Sequence, residues 1–589
     1  MNTFRHNCVT ACHLLLICAV GVLIYSNTLT SAFQFDDKLN IVDNLFIRDV
    51  GNLWPPSGAR WFGLLTFSLN YLAGGTNPVG YHLVNISIHI FTALSVYLFV
   101  LLTFKTPYFS NYRVTAIPGK WLAFACGLLF VAHPIQTQAV TYIVQRFASL
   151  ATQLFMLSLD LYILARLSAK ERETDPYPVG FRSHGMRATL YVASLLFAVL
   201  SLRTKEIAYT LPVVAVLYDV MFISSLPKLL ATLRKRWLVV AGLSGMTLAF
   251  LAVAINRRGL QALFDTFKAT NEISRHDYLI TQFRVIVTYL RLLLVPVNQT
   301  IDHHYRVYNS VLAPQIVASM SVVALLLVAG CVLYKISSHG SPVLRLASFG
   351  IFWFFITLSI ESSIIPIIDV MFEHRLYLPS IGAILAVTAA VLHALENPSL
   401  NPGQARKAAA CILAVTVISL SCAAHARNRV WKSEFTLWTD VIAKNPLNPR
   451  GYNMVGSYYQ ANFRIYDAIG YFRKALEVDS TYAEARSNLG NAYIQIGRVD
   501  EGLNELMITS KNNRFDEIDT GILYYNIGKG QLRKGLTDAA IETLNMSLRL
   551  IPNEPAVYGL LSEAFQRKNM PEQSAAYLRK AHDLDPGKY

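Results

Sequence analysis

The chain has 589 residues, 53% of them hydrophobic and only 15% charged, and its mean hydropathy is positive. A water-soluble protein of this length carries far more charge, so a wholly soluble enzyme is excluded. The net charge of +15 could suggest nucleic acid, but many Lys and Arg residues stand in loops between apolar segments, where the positive-inside rule accounts for them.

Val9 to Tyr25 form the first apolar segment. No small-residue cleavage site follows it, so it is expected to be retained as a membrane span. The chain then leaves the hydrocarbon through Ser26-Asn27-Thr28 and soon reaches Phe33-Gln34-Phe35-Asp36-Asp37. Burying an unpaired carboxylate is costly, so adjacent acids at a membrane edge point to function. Apolar runs of about twenty residues mark further spans. They are expected near 9–27, 80–103, 121–138, 141–167, 188–203, 207–225, 237–255, 312–334, 344–361, 376–395 and 408–424.

One more segment, 278–297, is interrupted by Arg284 and Arg291 and ends in Pro296. If it lies in the interface, the basic loops Lys105/Arg113/Lys120, Lys170–Arg187, Lys228–Arg236, Lys335–Arg345 and Arg406/Lys407 all fall on the cytoplasmic side. That reading gives eleven spans, the N-terminus inside and the C-terminal domain outside. The first external loop is then 28–79. The seven cysteines, Cys8, Cys12, Cys18, Cys126, Cys331, Cys411 and Cys422, lie in or beside apolar spans, so the fold needs no disulfide.

The sequence turns polar and helix-periodic after His425. A membrane domain over 1–425 is expected, then a linker and capping helix over 426–448, with Trp438 and Pro446 in the cap. Units starting at Pro449, Ala483, Gly521 and Pro555 follow the tetratricopeptide period of about 34 residues. They cover 449–482, 483–520, 521–554 and 555–589, with an insertion expected near Asn512–Asp516. Small Gly and Ala let paired helices approach, aromatics fill the gaps, and Pro closes each pair. The fold class is all-α: a polytopic helix bundle followed by a soluble α-solenoid. Such arrays bind peptides or protein segments in a groove; the competing reading is a packing or dimerisation module.

Several stretches carry a family pattern: Phe35-Asp36-Asp37, Arg60-Trp61-Phe62-Gly63, Pro78-Val79-Gly80-Tyr81-His82-Leu83-Val84-Asn85 with His89, Ala132-His133-Pro134-Ile135-Gln136, Lys205-Glu206, Leu217-Tyr218-Asp219 and Glu373-His374-Arg375-Leu376-Tyr377. Their order, with the repeats, resembles the transmembrane-and-tetratricopeptide-repeat (TMTC-type) proteins, which belong to the GT-C class of glycosyltransferases. The resemblance implies transfer of a sugar, mannose or another hexose, from a polyprenyl-phosphate carrier to a protein hydroxyl on the non-cytoplasmic side. It implies a bacterial inner membrane facing the periplasm, or an endoplasmic-reticulum membrane facing its lumen. It also implies that the acidic pair of the first external loop supplies the catalytic carboxylate, here Asp36 or Asp37. The chain departs from the pattern at Gln136, Gln138 and Gln145.

This chemistry needs a base, a cationic grip on the leaving phosphate and a groove for the lipid. Neighbouring acids raise each other's pKa, and one can act as base while the other bonds a backbone amide or an arginine. The competing reading for the pair is a solvated turn. Glu373 and His374 are expected to bind the donor together with Arg375 beside them, which is the first candidate for the lipid phosphate, followed by Arg60, Arg146, Arg203 and Lys205. The competing reading for each is interfacial snorkelling. Glu206 is expected to pair locally with Lys205. His82, His133, His303 and His304 are candidates for polar contacts to acceptor or headgroup, and none of the histidines has closed zinc spacing. No cofactor is required by this reaction; Mg²⁺ or Mn²⁺ assists those GT-C enzymes that use pyrophosphate carriers. Expected partners are the lipid-linked sugar, membrane lipid and a protein acceptor held by the repeats. A non-catalytic membrane scaffold for an envelope complex is the alternative, and a transporter is disfavoured because no inverted repeat is present.

Overall fold

The computed structural model describes residues 2–110, 118–168, 184–224, 273–362, 366–367, 369–396, 401–511 and 515–588. It divides into two compact units, Met1–Ser433 and Glu434–Tyr589. Regular structure among the described residues is helical, with no strand.

The first unit contains α1 (Asn2–Tyr25), α2 (Trp61–Gly74), α3 (Pro78–Phe104), α4 (Gly119–Ala132), α5 (Thr137–Thr141), α6 (Arg146–Leu167), α7 (His184–Leu202) and α8 (Leu211–Tyr218). It continues with α9 (Arg275–Leu294), α10 (Pro314–Ile336), α11 (Val343–Leu358), α12 (Pro379–Leu395) and α13 (Pro402–Asn428). Local signals start several of them. Asn77 accepts from the Val79 N–H with Pro78 at the first helical position, and Asn401 forms a capping box with Gln404 ahead of Pro402.

Seven segments among the described residues are long and apolar enough to cross a membrane: Cys8–Thr28, Pro78–Phe104, Ile143–Leu167, Gly185–Leu202, Glu206–Ile223, Pro314–Ile336 and Pro402–Lys432. The chain is therefore a multi-pass membrane protein. The expected continuous span 121–138 is broken instead. Its two halves, Gly119–Ala132 and Pro134–Thr141, meet at a 50° bend, and counted together they make an eighth crossing. The cause is Pro134, which lacks an N–H and pushes His133 to an extended backbone (φ −72°, ψ 126°).

Two further expected spans are short: α11 has 16 residues and α12 has 17, each about 25 Å against a hydrocarbon core of about 30 Å. The expected span 237–255 lies outside the described residues. Eleven full-length crossings are thus not found among the described residues. The 278–297 segment forms α9, which carries Asp277, Arg284 and Arg291 and is not among the apolar crossing segments.

Helices α11 and α12 touch backbone to backbone, because a methyl group added to Gly350 or Gly382 would meet the other's carbonyl oxygen. Trp353, fully buried, donates from Nε1 to the Leu378 carbonyl at 3.0 Å. It packs among Phe99, Phe155 and Phe349. The end of α13 runs past residue 425: Asn428 Nδ2 donates to the Ile24 carbonyl at 2.9 Å and to Asn27 Oδ1 at 3.1 Å. These bonds tie it to the end of α1, and the first unit ends at Ser433 rather than at 425.

The second unit begins with α14 (Glu434–Lys444). Four antiparallel pairs follow: α15 (Pro449–Ala461) with α16 (Ile465–Val478), α17 (Ala483–Gln495) with α18 (Val499–Lys511), α19 (Glu517–Arg533) with α20 (Thr537–Leu550), and α21 (Pro555–Arg567) with α22 (Pro571–Leu584). The third pair starts at Glu517 rather than at Gly521, because Asp516 accepts from the Asp519 N–H and caps an extra turn. Gly490 and Gly502 set the closeness of α17 and α18. A methyl on Gly490 would stand 2.8 Å from both the Gly502 carbonyl oxygen and Leu506 Cγ. Gly470, on α16, faces open space. Gly490→Ala is therefore expected to destabilise the repeats by about 1–3 kcal/mol through overpacking. Gly470→Ala should stabilise them by about 0.5–1 kcal/mol through helix propensity. Chemical denaturation of the full chain, followed by protease sensitivity of the repeats, measures both signs.

Candidate active site

Phe35 adopts a left-handed backbone (φ +45°), unusual for a bulky residue, and turns the loop between α1 and α2 sharply. This lets Asp37 Oδ2 accept from the Gln34 N–H at 2.9 Å, while its Oδ1 accepts from the Val144 N–H at 2.7 Å. Asp37 is buried, and burial pushes its carboxyl up to about 7; the amides of Gln34, Val144 and Ile143 pull the other way, and the Asp36 charge adds a smaller upward push. Asp36 is half-buried. Its N–H donates to the Tyr142 hydroxyl at 2.9 Å, and that hydroxyl also hydrogen-bonds the Asp36 side chain. Tyr142 in turn stacks on Trp431, with ring centroids 5.4 Å apart. The two adjacent acids thus have different surroundings: Asp37 is locked to backbone amides, and Asp36 reaches the surface beside a tyrosine.

The segment from His133 to Gln145, which links α4 to α6, is only partly helical, so it offers backbone groups to side chains. Asn85 Nδ2 donates to the carbonyls of Val140 and Ile143 at 3.1 and 3.2 Å. Gln138 Oε1 accepts from the His374 N–H at 2.7 Å. One short stretch therefore holds His374 at Gln138 and Asp37 at Val144.

Arg146 is fully buried and committed to this framework. Its Nε donates to Asn85 Oδ1 at 2.7 Å, Nη1 to Asn70 Oδ1 at 2.6 Å and the Thr66 carbonyl at 3.2 Å, and Nη2 to the Tyr81 carbonyl at 3.0 Å. Its guanidinium also lies 4.5 Å from the Phe67 ring centroid. The structure places Arg146 as a tie between α2, α3 and α6, not on a surface that a phosphate reaches.

The other sequence candidates for phosphate gather around His374. Lys205, buried, pairs with Glu361 at 2.7 Å. Arg60, exposed, pairs with Glu206 through Nε and Nη2, both at 3.3 Å. Glu206 is therefore the partner of Arg60, across the loop, and not of its neighbour Lys205; the ammonium of Lys205 is taken by Glu361. Arg375, buried, donates to the carbonyls of Val370 and Asp369 at 3.0 and 2.8 Å and so fixes its own loop. His374 is held neutral well below its ordinary range, by burial first and then by the charges of Lys205, Arg375 and Arg60. Its Nδ1 is buried without a partner. In the Lys205 corner, Arg203 is 8% exposed, with Nε and Nη2 both buried and unpartnered. Such N–H groups are costly to leave unsatisfied and suit an anionic oxygen.

Glu373 faces elsewhere. Its carboxylate accepts from Gln299 Nε2 at 2.9 Å and the Thr300 N–H at 2.8 Å, and meets His303 Nε2 at 3.1 Å. Burial raises its pKa, but the His303 contact, the Arg427 charge and the Thr300 amide outweigh burial and hold the group below the usual range. Two more candidate histidines have internal partners: His82 Nε2 with the Ser31 carbonyl at 3.1 Å, His133 Nε2 with the Leu293 carbonyl at 3.0 Å, and His133 Nδ1 with the Ile135 N–H at 3.1 Å. His304 is exposed. Among the described residues no group of three or more His, Cys, Asp or Glu side chains is placed to hold a metal ion. Sequence reasoning missed Tyr142 and Glu361. Both pair with residues far away in the chain, and only the tyrosine's place beside a proline-broken apolar run marked it.

No protein-family model matches the chain. Protein O-mannosyl-transferase Tmtc3 of Drosophila melanogaster is 24% identical over 571 residues, covering 87% of this chain and 60% of that protein. Protein O-mannosyl-transferase TMTC3 of Homo sapiens is 24% identical over 84% of this chain and 54% of that protein. Protein O-mannosyl-transferase TMTC2 of Homo sapiens is 32% identical over 37% of this chain and 25% of that protein. The chain spans at most about three fifths of the length of these relatives. Among solved structures, a crystal structure of MamA is 23% identical over 26% of this chain and 88% of that chain, with a TM-score of 0.23. Along most of its length the chain is thus similar to the TMTC-type proteins.

Proposed function

We propose that the chain is an integral-membrane glycosyltransferase that moves a hexose, mannose being the first candidate, from a polyprenyl-phosphate carrier to a protein hydroxyl. In this reading the first loop, the Lys205 corner and the repeat unit lie on the non-cytoplasmic side, and the repeats bind the acceptor protein. The observation that carries it is the division within the acid pair. Asp37 is held by two backbone amides and sets the loop; Asp36, half-buried with the Tyr142 hydroxyl at its side chain, is the acid we assign to the acceptor.

In the reaction, the acceptor hydroxyl oxygen bonds to the anomeric carbon as the carbon–oxygen bond to phosphate breaks. The hydroxyl proton passes to the Asp36 carboxylate, and the polyprenyl phosphate leaves with the bonding electrons. Cations are needed where that phosphate charge remains. The unpartnered N–H groups of Arg203, with Lys205, Arg60 and Arg375 around His374, are the groups we assign to that task. No cofactor enters this step. The names of the relatives support the sugar and the acceptor class; the carrier rests on the cationic corner and on the membrane setting.

Asp36→Asn should lower transfer of label from a polyprenyl-phosphate sugar to endogenous protein by about 10²–10⁴-fold in membranes at unchanged expression. Undiminished transfer by that variant would move the chemistry out of the first loop. Asp37 is expected to behave differently. Because its folded pKa lies near 7, above the ordinary 3.8, its contribution to stability is full below pH 4 and is lost as pH rises through 7. Thermal unfolding in detergent across pH 4–8 should show this decline in the wild type. In Asp37→Asn the decline should flatten, with lower stability overall, because an amide cannot accept from Gln34 and Val144 at both ends. A wild-type profile identical to that of the variant would show that Asp37 does not titrate there.

A further inference from the structure

A second cationic site lies on α9, and its lining residue His303 meets Glu373 at 3.1 Å. On α9, Arg284, Thr288 and Arg291 are spaced four and three residues apart and so share one face. The chain returns along that face through residues 303–308. It is pinned there by Tyr305, whose hydroxyl meets Thr288 Oγ1 at 2.8 Å, and by the Tyr308 N–H, which donates to Thr281 Oγ1 at 2.9 Å. Between them opens a groove of about 350 Å³ lined by Arg284, Thr288, Arg291, His303, His304, Tyr305, Arg306 and Tyr308.

Three guanidiniums stay charged at any physiological pH, and among the described residues no carboxylate lines the groove. Their internal commitments are slight. Arg291 Nη1 donates to the Val297 carbonyl at 3.2 Å, Arg306 lies 5.7 Å from the Tyr308 ring centroid, and Arg284 makes no ion pair among the described residues. A groove with this much unneutralised positive charge is made for a polyvalent anion.

The surroundings say which kind. Leu294, Val295 and Val297, just past Arg291, are exposed apolar residues, and so is Leu312 after Tyr308. Pro314 then begins α10, a crossing segment. A cationic groove rimmed by exposed apolar side chains at the edge of a membrane span fits an anion that carries its own hydrocarbon. We propose that this groove holds the phosphate headgroup of a membrane lipid, with the acyl or prenyl chain lying against Leu294 and Val295. The shared chemistry is a lipid phosphate, and a bilayer phospholipid is the occupant favoured by position. The inference does not depend on the glycosyltransferase reading, since it concerns binding alone.

The test is native mass spectrometry of the full-length chain released from nanodiscs of phosphatidylcholine doped with phosphatidylglycerol or, separately, with polyprenyl phosphate. Arg291 and Arg306 are exposed, so the double variant Arg291→Gln/Arg306→Gln should fold; its melting temperature in detergent checks this. Wild type should retain an anionic lipid adduct, and the double variant should bind it about thirtyfold more weakly. The charge-keeping Arg291→Lys/Arg306→Lys should retain most of it. Loss of a phosphatidylglycerol adduct in the Gln variant supports a bilayer lipid. Loss of an adduct seen only with polyprenyl phosphate supports the carrier as the source. Adducts of equal strength in wild type and Gln variant overturn the site, as does binding of inorganic phosphate with neither lipid retained.

Discussion

The structure depends on how a bent, partly helical segment is satisfied inside a membrane bundle. Pro134 stops α4, and between His133 and Gln145 the chain makes only short helical pieces, α5 among them, before α6 begins. In lipid, each backbone N–H and carbonyl freed by such a break needs a partner, or it costs several kcal/mol. The partners come from three side chains: Asp37 takes the Val144 N–H, Asn85 gives to Val140 and Ile143, and Gln299 gives to Pro134. The Asp37 bond that makes the break tolerable also fixes the first loop, and the Gln138 side chain, accepting from the His374 N–H, fixes the His374 loop beside it.

Charge is handled by a similar economy of partners. Arg146, fully buried, makes no ion pair among the described residues; neutral oxygens from Asn85, Asn70, Thr66 and Tyr81 take its N–H groups, and its guanidinium lies over the Phe67 and Tyr81 rings. Removing any one would leave a buried donor unmet, which is why such a guanidinium behaves as structure. Lys205 and Glu361 neutralise each other in the interior, whereas Arg203 holds two buried N–H groups with nothing against them.

Much of this molecule was legible from contiguous residues. Apolar runs located the membrane helices, and the alternation of Gly, Ala and aromatics located the repeats to within a few residues. Both depend on local composition and on spacing along one helix. The errors came where one residue overrode the local pattern. Pro134 divided a span, Asp516 lengthened a helix by a turn, and Asn428 carried the first unit past 425. The pairing of Glu206 with Arg60 was misread for the same kind of reason, since adjacency in sequence favoured Lys205 while the fold brought Arg60 across.

The sequence by itself determined a polytopic membrane domain, a tetratricopeptide array and an acid pair at the first membrane edge, because hydropathy and repeat period are written in neighbouring residues. Only the tertiary structure decided that Asp37 is held by backbone amides while Asp36 lies half-buried beside Tyr142. It also decided that Arg146 is a tie and that three arginines of α9 and its returning loop share a groove. The physical reason is distance along the chain. Asp37 is separated by 107 positions from the Val144 amide, one of the two that hold it, and Glu373 by 70 from the histidine that meets it. No local pattern encodes a partner that only folding brings within hydrogen-bond reach.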